Sequence, residues 1–196
     1  SRDWSSDVCS SDLHLCSGVM IPSNRIAPVA ASGLATLNAL APGRIEFGVS
    51  TGFTGRRTLG VGPVKLADME EYIRIVQGLL GGQTLEWDFE EKRRKIRFLD
   101  PAIGAINIKD PIPLHISAFG PKGRSLTAKL GAGWINGTAN VAHGKAGLAD
   151  MQKSWTAAGR DPATLQATGT ISGCVLKEGE TADSERVKGQ AGPHAI

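Results

Sequence analysis

Cysteine is scarce in this sequence, with 3 in 196 residues at Cys9, Cys16 and Cys174. There is no Cys-x-x-Cys pair and no metal-finger spacing, which excludes a disulfide scaffold and a zinc ribbon. A reducing cytoplasm is therefore the expected compartment. An excess of one charge is also missing. A net charge of +3 is too small to carry binding to nucleic acid or to a membrane surface. No stretch approaches the roughly 18 apolar residues of a membrane span. No Ser, His, Asp order and no metal-ligand cluster can be read from the chain.

Hydrophobic residues make up 41% of the chain and charged residues 21%, the balance of a globular protein with a real core. The length suggests a single domain. Glycine is abundant, at 25 residues, and is spread along the chain as tight-turn glycine is, not as low complexity. Residues 1–13 stand apart. The stretch from Asp3 to Leu13 is Ser/Asp-rich, has no helical or strand period, and is the in-frame translation of a common short-read sequencing adapter. It is expected to be a non-biological tail, leaving 14–196 as a fragment of one domain. The run Lys92-Arg93-Arg94-Lys95 follows Glu90 and Glu91 and reads as the solvated face of a hairpin.

The most telling stretch is Arg44 to Gly52. A short apolar strand, Ile45–Val49, stops abruptly in Ser50-Thr51-Gly52, and a helix follows over Val64–Leu80, where Leu66, Met69, Ile73, Val76 and Leu80 share a face. The layout recurs at Leu114–Ser117, where a strand runs into Ala118-Phe119-Gly120-Pro121 and then a helix over Pro121–Leu130. Strands are further expected at Leu15–Met20, Gly133–Gly137 and Gln166–Leu176. Helices are expected at Ile26–Leu40, with Pro28 in the first turn, at Ala142–Ala158 and at Thr181–Gln190. Thr84–Trp87 and Lys95–Leu99 read as a hairpin, and Phe53–Pro63 as a Gly-rich loop. Strands alternating with helices imply α/β architecture with a parallel sheet. Small-residue turns after successive strands favour part of a (β/α)8 barrel, with one site built from several loops. A whole barrel takes about 250 residues.

The order Asn38–Ile45, then Gly48–Gly52, the helix beginning Lys65–Tyr72, Ile116–Pro121 and Gly133–Asn136 resembles the bacterial luciferase-like monooxygenase family. That resemblance implies a TIM barrel entered near its third strand and left before its last. It implies an oxidoreductase using reduced FMN and oxygen on an organic substrate, possessing a flavin reductase as partner and forming a homo-oligomer when full length. The deazaflavin branch, in which an 8-hydroxy-5-deazaflavin coenzyme transfers hydride as in the methylene-tetrahydromethanopterin reductases, is the alternative. A non-catalytic binding module is a third reading.

By resemblance, Ser17, Gly18 and Val19 fall where the family holds a bulge or a non-proline cis peptide behind the flavin ring, with Gly18 and Val19 as the cofactor candidates. The hydroxyls of Ser50 and Thr51 and the bare backbone of Gly52 end a strand and suit the ring or its ribityl chain. Ala118, Phe119, Gly120 and Pro121 open a helix, whose free N–H groups suit a phosphate. Asn136 is a further polar candidate at a strand end. Arg56 and Arg57 are candidates for an acidic substrate or cofactor tail. His115 lies between Leu114 and Ile116 in a strand and reads as a core histidine. No catalytic residue is assigned.

Overall fold

A computed structural model of the chain describes residues 13–138, 140–171 and 173–191. The adapter-like tail lies outside the described residues except for Leu13. The chain divides between His115 and Ile116 into two compact units. Both are built from parallel strands alternating with helices, so the α/β class expected from the sequence is found.

In the first unit, β1 (Leu15–Cys16) pairs in parallel with β2 (Ile45–Val49), with Leu15 opposite Ile45 and Cys16 opposite Glu46. The backbone order continues to β5 (Leu114–Ser117), in which the division falls, and Phe47 N donates to Pro113 O at 2.8 Å just ahead of it. Helix α1 (Ala27–Leu40) starts with proline in its first turn, as expected, and buries Ala30, Ala31, Leu34 and Ala35. Helix α3 (Leu66–Leu80) buries Met69, Tyr72, Ile73, Ile75, Val76 and Leu79. Leu66 and Leu80, expected on that face, are only half-buried because the stripe drifts around the helix at its two ends. Ile45, Phe47 and Val49 of β2 are at most 3% exposed. Burying a side chain of that size gains roughly 1.5–3 kcal/mol, so these residues and the apolar helix faces form the core.

Several elements differ from the sequence reading. Phe53–Pro63 is not all loop, because Phe53–Arg57 forms a short helix, α2. Gly52 caps it at φ 75°, and its carbonyl accepts from Arg56 N at 2.9 Å, so the glycine turns the chain straight into a helical turn. The hairpin is β3 (Leu85–Phe89) and β4 (Lys92–Ile96), which brings all four cations into the strand. The two-residue turn between them is Glu90-Glu91, with φ of 52° and 59°. Sequence rules reserve such a turn for Asn and Gly, which is why it was invisible. The last strand is shorter than expected, and the C-terminal helix begins later; both are described below.

Glutamates at two left-handed positions are strained. Replacing both, Glu90→Asn with Glu91→Gly, is expected to raise stability by about 1 kcal/mol, read as the urea midpoint. An unchanged midpoint would show that the ladder, not the turn, sets the hairpin.

Tyr72 is the chain's one tyrosine and is 7% exposed. Its ring sits 6.5 Å from that of Phe47, and its hydroxyl has no hydrogen-bond partner. Burial pushes the phenol up to about 12, against a smaller opposing pull from Arg25. A raised acid is neutral in the fold, so its contribution is intact below the unfolded value of about 10 and is lost as pH rises towards 12. Tyrosinate absorbance should therefore appear only near pH 12 or together with unfolding. Tyr72→Phe should leave neutral-pH stability unchanged to within about 0.5 kcal/mol, because no hydrogen bond is broken. Titration near pH 10 without unfolding would contradict this.

In the second unit, the order runs from β5 to β6 (Gly133–Thr138) and β7 (Ala167–Ile171), the last two parallel with Trp134 opposite Ala167. β7 is shorter than the Gln166–Leu176 expected. Helix α4 (Pro121–Leu130) begins at proline and ends at Gly131, φ 64°. Arg160 closes that end, donating through Nε to Ala128 O at 2.6 Å while stacked 5.3 Å over Trp155. Helix α5 (Val141–Ala157) is capped by Asn140, whose side chain accepts from His143 N. Helix α6 (Glu185–Ala191) starts four residues later than expected. The chain ahead of it is held as a turn by Glu180, which pairs with Arg186 and accepts from Ser184. Those bonds, the Arg186 pair first, bring the Glu180 carboxyl down to about 2. Among the described residues no helix is long and apolar enough to cross a membrane.

Candidate functional site

Two clusters of sequence-predicted residues lie at strand ends, one in each unit. In the first unit the β1–β2 ladder breaks its rhythm. Ser17 N donates to Glu46 O at 3.3 Å, and the next rung is Met20 N to Gly48 O at 2.8 Å. The step is three residues on one strand and two on the other, so β1 carries a one-residue bulge over Ser17-Gly18-Val19. The Gly18–Val19 peptide is cis. The bulge and the cis peptide both stand where the family resemblance placed them. The bulge also explains why Leu15–Met20 is not one regular strand, with only Leu15–Cys16 and the Met20–Val49 bridge in the ladder.

Beyond the bulge, Ser50 N donates to Met20 O at 3.0 Å, and Gly52 N donates to Ser50 Oγ at 3.2 Å. Ser50 thus keeps its own hydroxyl proton for another acceptor. Thr51 O is taken by Val64 N at 2.9 Å. Gly52 packs on Ile21, and a Cβ there would lie 2.5 Å from Ile21 Cγ2. These contacts bring Gly18, Val19, Ser50, Thr51 and Gly52 together at the C-terminal ends of neighbouring parallel strands, where ligands of parallel α/β folds bind. The two arginines diverge. Arg56 Nε donates to Gly62 O at 2.5 Å and borders a cavity of about 490 Å³ shared with Lys65, Tyr72, Trp87 and Phe89. Arg57 lies 5.8 Å over the exposed ring of Phe53.

In the second unit, Ala118, Phe119, Gly120 and Pro121 form the turn into α4. The carbonyls of this turn are held back. Trp134 Nε1 donates to Ala118 O at 2.7 Å, and Arg124 donates to Phe119 O at 2.6 Å. Gly120 is extended, and the space where its Cβ would lie is open. The first-turn N–H groups of a helix have no partner within it, and here the cationic side chain of Lys122 sits in that turn. Asn136 is placed differently from its strand-end expectation. β6 continues to Thr138, and the Asn136 amide points at α5, with Nδ2 3.2 Å from the Cβ position of Gly147.

Sequence reasoning placed Ser17 in the bulge without seeing its hydroxyl's part in it, and missed Glu46, Arg124 and Trp134. Glu46 stands between two imidazoles, with Oε1 3.1 Å from His14 Nδ1 and Oε2 3.0 Å from His115 Nε2. The second is an ion-pair distance without hydrogen-bond alignment. His115 is 6% exposed and is a core residue, as expected. Burial first, and the Glu46 carboxylate second, push the Cys16 thiol up, the reverse of what an attacking thiolate needs. No group of three or more potential metal ligands occurs among the described residues.

The model of the luciferase-like monooxygenase family matches residues 9–192. The chain belongs to that family. An F420-dependent glucose-6-phosphate dehydrogenase from Beutenbergia cavernae is 31% identical over 62% of this chain and 36% of its own length. An F420-dependent hydroxymycolic acid dehydrogenase from Mycobacterium tuberculosis is 30% identical over 76% of this chain and 41% of its own. Among solved structures, the coenzyme F420-dependent tetrahydromethanopterin reductase from Methanopyrus kandleri superposes with a TM-score of 0.66 at 19% identity, over 85% of this chain and 51% of that one. That likeness shows the luciferase-like α/β fold. The chain spans well under half the length of the curated relatives it matches.

Proposed function

We propose that this chain is part of a deazaflavin-dependent oxidoreductase that moves hydride to or from a small organic substrate. The observation that carries the reading is that the curated relatives at 30–31% identity are F420-dependent dehydrogenases. The residues present suit such a coenzyme. Ser50 and Gly52 leave a hydroxyl proton and bare backbone at the strand ends for a ring system. The α4 start offers free N–H groups to a phosphate, and the open space at Gly120 lets an anion approach the backbone. The coenzyme, when bound, supplies the hydride chemistry at its ring. The first unit's share is to hold a ring against the Gly18–Val19 bulge, and the second unit's is to offer an anchor for a phosphate at the α4 start. Trp134 and Arg124 serve the anchor indirectly by tethering the two carbonyls that would otherwise repel an anion.

Fluorescence titration of the chain with F420 and, in parallel, with FMN tests the reading. Saturable binding of F420 is expected. Gly120→Asp, which sets a carboxylate against the phosphate, should weaken it at least about tenfold, or about 1.4 kcal/mol. Binding of FMN alone would move the reading to a reduced-flavin, oxygen-using monooxygenase served by a flavin reductase. Binding of neither by the folded chain would leave a non-catalytic module.

A further inference from the structure

We propose that Ser17 is a positioning residue for the cofactor ring, its hydroxyl locking the β1 bulge so that the Gly18–Val19 backbone is presented in one fixed direction. The proposal rests on the cofactor reading above. It starts from the ladder. With one extra residue on β1, Gly48 loses the backbone acceptor that a regular parallel rung would give its N–H. Ser17 replaces it. Gly48 N donates to Ser17 Oγ at 2.9 Å, and Ser17 Oγ donates back to Gly48 O, also at 2.9 Å. One hydroxyl thus gives the N–H of a buried strand residue its acceptor and adds a second bond to a carbonyl that Met20 N already occupies.

Gly48 completes the lock from the other side. A Cβ there would run into the Ser17 carbonyl oxygen and lie 3.1 Å from Cys16 Sγ. Only a glycine lets β1 come close enough for the short serine side chain to span the gap. Without the hydroxyl, Gly48 keeps a buried donor with no acceptor. The bulge is then free to slide by one residue, which turns each side chain to the other face. Val19, half-buried, and Gly18, exposed, would exchange places against a bound ring.

The test compares the full 196-residue chain with Ser17→Ala and Ser17→Thr. It follows amide exchange at Gly48, F420 affinity by fluorescence, and the visible band of bound F420. Ser17→Ala should speed Gly48 exchange about tenfold, weaken F420 binding about tenfold and shift the bound band. Ser17→Thr, which keeps the hydroxyl, should restore all three. Gly48 exchange at the wild-type rate in Ser17→Ala overturns the lock. Faster exchange with unchanged affinity and band leaves the lock purely structural and overturns the positioning role. A folded Ser17→Thr that binds as weakly as Ser17→Ala does the same. If Ser17→Ala does not fold, Ser17→Cys, a weaker donor, takes its place in each comparison. Wild-type chain that binds no F420 sinks the cofactor reading and the positioning role with it, and is told apart by the exchange result, which needs no coenzyme.

Discussion

Gly48→Ala is expected to destabilise the first unit by about 3 kcal/mol or more, although it adds a single methyl group. The methyl has nowhere to go. Its nearest neighbour is the Ser17 carbonyl oxygen, a backbone atom that cannot rotate away as a side chain does. Relief requires β1 to move off β2, which breaks the rungs at Ser17 and Met20 together with both Ser17 hydroxyl bonds. At about 2–4 °C per kcal/mol for a chain of this size, the melting point should fall by about 6–12 °C. Gly33→Ala is the matching control. Gly33 lies within α1 with nothing near its Cβ position, so alanine there should stabilise by about 0.5–1 kcal/mol. Calorimetry of both variants decides the matter. A Gly48→Ala melting point within about 2 °C of the wild type would mean that the bulge yields freely.

Asn38→Leu should be about as costly, roughly 3–5 kcal/mol, through lost hydrogen bonds and not through packing. Asn38 is fully buried within α1. Its amide nitrogen donates to Asn107 O at 3.1 Å and to Asp110 O at 3.0 Å, and its oxygen accepts from Gly43 N at 3.1 Å. Asn107 Nδ2 answers with bonds to Asn38 O and Asp110 Oδ2. One side chain thereby serves the turn after α1 and the approach to β5, two segments with little regular structure to pair their own backbone. Leucine matches the volume but leaves one donor and two acceptors unpartnered inside the protein, each costing about 1–3 kcal/mol. Urea unfolding should show the midpoint falling. A loss under about 1 kcal/mol would mean that water or relaxed backbone replaces the network.

Much of the fold was legible because strands and helices here announce themselves by period and punctuation. Ile45–Val49, Leu114–Ser117 and Pro121–Leu130 lie where apolar runs and small-residue turns place them. What escaped was set by contacts between distant residues. Glu90-Glu91 carries no turn signal, since glutamate gives no local reason for positive φ. Asn38 looks like any polar residue near a helix end until residues 107 and 110 arrive beside it. Gly48 does carry a local signal, because a glycine inside a strand marks a bulge or a close backbone approach, but its partner Ser17 shows only in the fold. The turn at Ser50–Gly52 was legible because its strand stops in small residues, and the bulge at Gly18–Val19 only through the family resemblance. Asn136 was misplaced because a strand end in small polar residues does not say which face its amide takes, and here it turns towards α5.

The hairpin leaves the β4 edge open along residues 92–95, all exposed. Open strand edges invite a second copy of the chain to pair with them. Here the invitation is cancelled by Lys92, Arg93, Arg94 and Lys95, since two such edges brought together would face each other with eight like charges. Glu86 and Glu90 neutralise part of that charge within the hairpin itself, through Arg93 and Arg94, leaving the two lysines as the principal guard. High salt, which screens them over about 3 Å at 1 M, would be the condition under which these edges begin to find one another.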